Sequence, residues 1–216
     1  MLWREQVFHL DALILSHADL DHYCAVDRLT DLFSVGAIYV PAAMSQQSDS
    51  PAGELLRRLK QKGISIRLAS AGQSLFAKEN CELQILHPRA GVEYSSDNAG
   101  SIVCELAFAN RRILLTGDIE REGLDAILEF PSRPRLLAQA PHHGSLNSDP
   151  QRFVPWSAAE NIIICNEWKS TDEEDLAVFE QSGAMVYLTG RDGAIRLRLA
   201  DSNDAGEIRT WTARPW

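Results

Sequence analysis

The sequence predicts a layered α/β domain, and three observations carry that expectation. Short β-type runs alternate with helical patterns along the 216 residues, the runs tend to stop where ligand-type residues appear, and 45% hydrophobic content suffices to bury a proper core. One soluble globular domain over residues 1–216, with an enzyme's composition, is the default class.

Taken in order, "LDALILS" reads as a buried strand ending at Ser16, and "AVDRLTDLF" carries apolar residues at 26, 29, 32 and 33, which is helical spacing. "GAIYV", closed by Pro41, is a second strand. "AAMSQQSDSPAGE" reads as a polar loop whose Pro51 opens the helix "GELLRRLKQKG"; Leu55, Leu56 and Leu59 share one face and Gly63 stops it. "ISIRLA" alternates with period two and is a third strand. "CELQILHP" and "SIVCELAFANRRILLTGD" follow as strand, loop and a hairpin turned at "ANRR". "IEREGLDAILEF" is a helix, "PRLLAQA" and "NIIICN" are strands, and Thr171 with Glu174 forms a capping box before "DLAVFEQSG". The tail "AMVYLTGRDGAIRLRLA" reads as strand, D-G turn and strand, with "EIRTWTA" as a last strand.

Charge narrows the function. A formal net charge of −9 argues against a broad basic surface for nucleic acid, since phosphate neutralisation by Lys and Arg supplies most of that affinity. Arg111, Arg112, Arg133, Arg135, Arg57, Arg58, Lys60 and Lys62 read as solvated charge rather than binding residues. Cys24, Cys81, Cys104 and Cys165 are scattered, form no C-x-x-C pair and read as small buried apolar residues. The tryptophans read as packing anchors. No run approaches the ~18 apolar residues of a membrane span, and "MLWREQVFHL" is too short and charged for a signal peptide.

Chemistry concentrates in three places. "LSHADLDHY" puts His17, Asp19, Asp21 and His22 into six positions directly behind an apolar strand, a rigid place from which to present metal ligands. "LLTGD" ends a second strand on Asp118, and "APHHGS" places His142 and His143 after a third. Two adjacent histidines point different ways, so one faces a site while the other packs or hydrogen-bonds behind it. This donor set suits a two-metal hydrolytic centre, in which two divalent ions ~3.5–4 Å apart share a hydroxide and clamp the attacking and leaving oxygens. A carboxylate can bridge two ions and a single imidazole cannot, so Asp118 is the natural bridge. Ser145 reads as a turn hydrogen-bonder rather than a nucleophile.

These motifs, in this order, resemble the metallo-β-lactamase fold superfamily. More narrowly, "LDALILSHADLDH", "DNAGSIVCELAFANRRILLTGDIE", "APHHGSLNSD" and "TGRDGAIRLRL" resemble the C-terminal hydrolase domain of ComEC/Rec2-type competence proteins over almost the whole chain. The resemblance implies an αββα sandwich with metals at one edge between the sheets. It implies His17 and Asp19 as ligands of a first metal site, Asp21 and His22 of a second, Asp118 bridging, and His142 or His143 completing the second. The start, "MLWREQVFHLDAL", resembles the middle of the parent domain, so the sandwich is expected to lack its first strands and to expose a sheet edge.

Two features depart from the wider superfamily. Asp19 stands where many relatives carry histidine, and the usual third ligand of the first site has no obvious counterpart; His87, Asn98 or water are the candidates. Carboxylate in place of imidazole hardens the site, favouring Mn²⁺ beside Zn²⁺.

The expected function is therefore a di-metal hydrolase, a phosphodiesterase or nuclease acting on single-stranded DNA in competence-type DNA uptake. Asp21, Asp118, His142 and His143 are its catalytic residues. By the resemblance its setting is a membrane protein at the outer face of a bacterial cytoplasmic membrane, although this chain carries no membrane segment. The alternatives are a small-molecule ester, lactone or phosphodiester hydrolase of the same fold, and a degenerate docking module.

Overall fold

The structure is a computed structural model that describes residues 2–166, 173–199 and 207–211. Three strands, β1 (His9–Ile14), β2 (Ser34–Val40) and β3 (Ser65–Leu68), pair in parallel in that order. Short helices α1 (Leu20–Tyr23) and α2 (Val26–Leu32) link β1 to β2, while α3 (Ala42–Gln46) and α4 (Pro51–Gln61) link β2 to β3. Among the described residues β1 is paired on one side only and forms an edge of this sheet.

The larger sheet has seven strands. They are β4 (Ser74–Lys78), β5 (Cys81–His87), β6 (Val103–Phe108), β7 (Arg111–Leu115), β8 (Arg135–Gln139), β9 (Ala159–Ile164) and β10 (Met185–Leu188), lying side by side in chain order. From β4 to β7 the pairing is antiparallel, and from β7 to β10 it is parallel. The parallel half needs crossovers, supplied by α5 (Arg121–Leu128), α6 (Pro150–Ser157) and α7 (Glu173–Glu180). After α8 (Thr189–Asp192), strands β11 (Ala194–Arg198) and β12 (Glu207–Trp211) form a separate antiparallel pair.

Alternation along β2 explains how the layers stack. Ile38 and Val40 point to one face and meet Leu55, Leu56 and Leu59 of α4, together with Leu15 and Met44. Tyr39 points to the other, where with Ile14 it packs against Ile85, Ile102 and Cys104 of the large sheet. The far face of the large sheet, through Leu114, Ala138, Ile162 and Ile164, buries Leu124, Ile127, Phe153 and Phe179 of α5 to α7. Helix, sheet, sheet, helix is therefore the order of layers, the expected αββα sandwich.

Local signals fixed several elements. Ser50 Oγ accepts from Gly53 N at 3.1 Å to cap α4, Pro51 begins the helix, and Gly63, at φ 80°, ends it in the left-handed region. Other readings need correction. The polar stretch after Pro41 is not all loop: α3 forms there because Met44 is fully buried and anchors it. "SLFAK" is a strand and "PQRFVPWS" a helix despite the internal Pro155, neither of which the pattern disclosed. The D-G turn does not close a hairpin between β10 and β11, since Asp192 caps back onto Leu188 N at 2.8 Å and β11 pairs with β12. Cys104 is buried and Cys81 half-buried as read, but Cys24 and Cys165 are exposed. The Thr171 capping box lies outside the described residues.

Candidate metal centre

The three ligand stretches leave the ends of β1, β7 and β8 and meet at one rim of the sandwich. Leu15 N still bonds Tyr39 O at 2.9 Å, so the ladder between β1 and β2 holds the chain up to Ser16. Ser16 O then accepts from Ile102 N of the other sheet at 2.8 Å, pinning the loop between the layers. Asp19 is the N-cap of α1 in extended conformation, yet its carboxylate caps nothing and instead lies 3.6 Å from His17 Nε2. Tyr23, buried in the core beneath, fixes the single turn that carries Asp21 and His22.

Gly117 turns the end of β7 with φ 53°, and a Cβ there would stand 2.8 Å from Ser16 Cβ. Glycine is thus required twice over, for the left-handed backbone and for the approach of the two loops. The next residue, Asp118, is buried with its carboxylate at the centre of the cluster: Oδ2 lies 3.2 Å from His143 Nε2, 3.4 Å from His22 Nε2 and 4.0 Å from His17 Nε2. Asp21 Oδ2 lies 3.5 Å from His22 Nε2 and 3.7 Å from His143 Nε2, at the exposed lip.

The adjacent histidines part company. Both adopt left-handed backbone, φ 48° and 56°, a conformation that costs about 1–2 kcal/mol per non-glycine residue and collects at functional sites. His143 Nδ1 donates to Cys165 O at 2.7 Å, which leaves Nε2 to face Asp118. His142 turns away, its Nδ1 3.2 Å from the buried carboxylate of Glu120, which also accepts from Ser96 Oγ at 3.2 Å. Of the two, His143 enters the cluster.

Electrostatics match the geometry. Burial pushes the Asp118 carboxyl upward, but the facing His143 and His22 imidazoles outweigh it and hold it well below the carboxylate range. His143 is raised to about 9, chiefly by its hydrogen bond to Asp118. The same partner raises His22, while burial, followed by the charge of His22, lowers His17. Despite this, the buried atoms His17 Nε2, His22 Nε2 and Asp118 Oδ1 have no hydrogen-bond partner. Orphaned donors and acceptors at this depth each cost about 1–3 kcal/mol and call for a partner.

A divalent cation fits that need. Ligand atoms of His17, His22 and Asp118 lie within 4.8 Å of one another, as do those of Asp21, His22 and His143. Asp118 touches the second group as well, so its central place agrees with a bridging carboxylate, and Asp19 reaches only His17. His87 joins neither group: it is fully buried, donates from Nδ1 to Ser101 O at 2.7 Å and packs edge-on against Tyr94. Ser145 Oγ accepts from Asn147 N at 3.2 Å and serves the turn, as read. Two residues that motif reading passed over stand behind the cluster. Ser16 touches two histidines and Glu120 a third, and their signal in the sequence was only adjacency to "SH" and "GDI".

Among known proteins, the chain is 27% identical over 195 residues to ComE operon protein 3 of Bacillus subtilis (strain 168), a match covering 88% of this chain and 24% of that protein. The chain thus spans about a quarter of its relative's length. Two solved structures share the fold. One, from Parabacteroides distasonis and described as a metal-dependent hydrolase, has TM-score 0.53 at 10% identity, covering 83% of this chain and 76% of that one. The other, Zn²⁺-bound PqqB from Methylobacterium extorquens, has TM-score 0.53 at 10% identity, covering 82% and 71%. The profile of the Metallo-beta-lactamase superfamily matches residues 1–153. Since that span is most of the chain and runs from β1 through the histidine pair, the protein belongs to the metallo-β-lactamase superfamily.

Proposed function

We propose that this rim holds two divalent metal ions and that the chain is a metal-dependent phosphodiesterase acting on DNA in competence-type uptake. One observation carries the metal reading: a buried carboxylate sits 3.2–4.0 Å from the Nε2 atoms of three histidines, two of them without any hydrogen-bond partner. His17 and Asp19 would hold one ion, Asp21, His22 and His143 the other, with Asp118 between. The likeness to a ComE operon protein supports the DNA substrate and a place at the outer face of a cytoplasmic membrane. No helix of the described residues is long and apolar enough to cross a membrane.

Ions bound there would acidify a water and withdraw charge from the phosphoryl oxygens. The chain's own groups do the rest. Asp118 and His143 fix the centre, and Asp21, its side chain 68% exposed, offers one carboxylate oxygen to orient the attacking water. His142, gripped at Nδ1 by Glu120, presents Nε2 as the proton source for the leaving oxygen. With three carboxylates beside three imidazoles, the site should accept Mn²⁺ at least as well as Zn²⁺.

A second reading, a small-phosphodiester hydrolase, draws on the surface charge. Arg58 and Lys62 are paired with Asp27, Arg112 and Arg135 with Glu105, and Arg152 with Asp125, so these cations are already committed to carboxylates rather than free to grip a polyanion. Incubating protein loaded with Mn²⁺ or Zn²⁺ with single-stranded DNA and with bis-p-nitrophenyl phosphate decides between them. Cleavage of DNA supports the uptake nuclease. Turnover of the small diester alone supports the second reading, and inactivity toward both contradicts the phosphodiesterase assignment.

A further inference from the structure

The Ser16 hydroxyl lies 3.0 Å from Nδ1 of His17 and 3.0 Å from Nδ1 of His22, whose rings stand 4.1 Å apart. Among the described residues it is the one group that touches the rear nitrogen of both rings. From this we propose that Ser16 is a positioning residue that sets the tautomers of His17 and His22 together, so that both turn a bare Nε2 toward the metal centre. The inference rests on the metal reading above and adds a residue to it.

The argument is one of counting protons. A neutral imidazole carries its proton on one nitrogen, and only the other can ligate a cation. A hydroxyl has one hydrogen and two lone pairs. If both rings kept their protons on Nε2, two bare Nδ1 atoms would compete for a single Ser16 hydrogen, and one would stay buried without a donor. A mixed pair, one ring donating to the hydroxyl and the other accepting its hydrogen, satisfies the rear nitrogens but leaves one Nε2 protonated and unable to ligate. Only with both protons on Nδ1, the hydroxyl accepting twice, do both Nε2 lone pairs face the cavity beside Asp118. Neither Nε2 has a hydrogen-bond partner, which leaves both open to that role. Such rear hydrogen bonds orient ligating histidines and are worth about 10–100-fold in metal affinity.

The fold is built around this hydroxyl. The carbonyl of Ser16 is tied to Ile102 N, and the residue facing its Cβ is Gly117, where any side chain would collide with it. The backbone of Ser16 is therefore held close against Gly117 at the end of β7.

The test compares Ser16→Thr with its isostere Ser16→Val, and both with Ser16→Ala, in chelator-treated protein titrated with Zn²⁺ and with Mn²⁺. The threonine variant should bind as wild type does, and the valine and alanine variants should lose about 10–100-fold in affinity for at least one ion. In ¹⁵N-histidine spectra of the zinc-loaded protein, slowly exchanging Nδ1–H signals from His17 and His22 should persist in wild type and Ser16→Thr. Both should vanish in the other two. Equal affinities and unchanged signals in Ser16→Val overturn the role of Ser16 while leaving the metal reading intact. Wild-type protein that binds neither ion overturns both.

Discussion

Glu105 and Asp118 are equally buried, each 4% exposed, the first on β6 and the second just past the end of the neighbouring β7. Glu105 is closed on all sides. Arg135 Nε reaches it at 2.9 Å and Arg112 Nη1 at 2.6 Å, while Arg135 gives a further bond to Ser157 O at 2.9 Å and lies over the Trp156 ring at 4.6 Å. Asp118 has imidazoles instead, at looser distances, with an oxygen and two facing nitrogens unpaired. A guanidinium keeps its protons and has no lone pair to give, so the Glu105 cluster can only be a brace. An imidazole can surrender a proton and ligate. The same burial therefore serves stability at Glu105 and chemistry at Asp118, and what separates them is satisfaction of the polar groups.

The comparison breaks if either cluster behaves like the other. The largest expected effect is at Asp118: Asp118→Ala should lose at least one ion per chain by elemental analysis and more than about 100-fold in hydrolysis, a loss beyond that of a residue behind a ligand. Glu105→Ala should do the reverse. It leaves Arg135 buried and unpaired, which should cost about 3–5 kcal/mol in urea unfolding while the folded protein keeps its ion content.

Third in size is an acid effect from His87, which shares the orphaned Nε2 but lies outside the cluster. Burial lowers it from 6.5 to about 4, so between those values the unfolded chain binds a proton that the folded one refuses. Its contribution is complete above pH 6.5 and is lost as the pH falls toward 4, amounting to roughly 3 kcal/mol. Substituting His87→Asn, whose amide can still donate to Ser101 O, should flatten that slope in unfolding measured from pH 7 to pH 4. The smallest effect is at Glu120: Glu120→Gln loosens His142 alone and should lower kcat about tenfold with ion content unchanged. A drop in ion content there would move His142 into the cluster.

Legibility in the sequence follows the same division. The ligand stretches were readable because they stack donors where apolar runs end, and most strands were readable because their runs had the right length and closing residues. Adjacent His142 and His143 could not be told apart, since their left-handed backbone, and hence their directions, depends on Cys165 and Glu120 some twenty residues away. Arg135 read as solvated charge; its burial is set by Glu105, thirty residues earlier, and by Trp156, neither visible in a local pattern. Trp156 itself is the anchor it was read to be, with Nε1 donating to Phe130 O at 2.8 Å. Helix α6 was hidden by Pro155, yet Phe153 and Val154 bury against the large sheet and hold it.

The central claim is that the unpaired groups around Asp118 await cations. Anomalous scattering from crystals grown with Mn²⁺, collected at the manganese edge, tests it most directly. Two peaks within coordination distance of His17, His22, His143 and Asp118 are predicted; peaks elsewhere, or none at a protein concentration that sees full loading in solution, would contradict it.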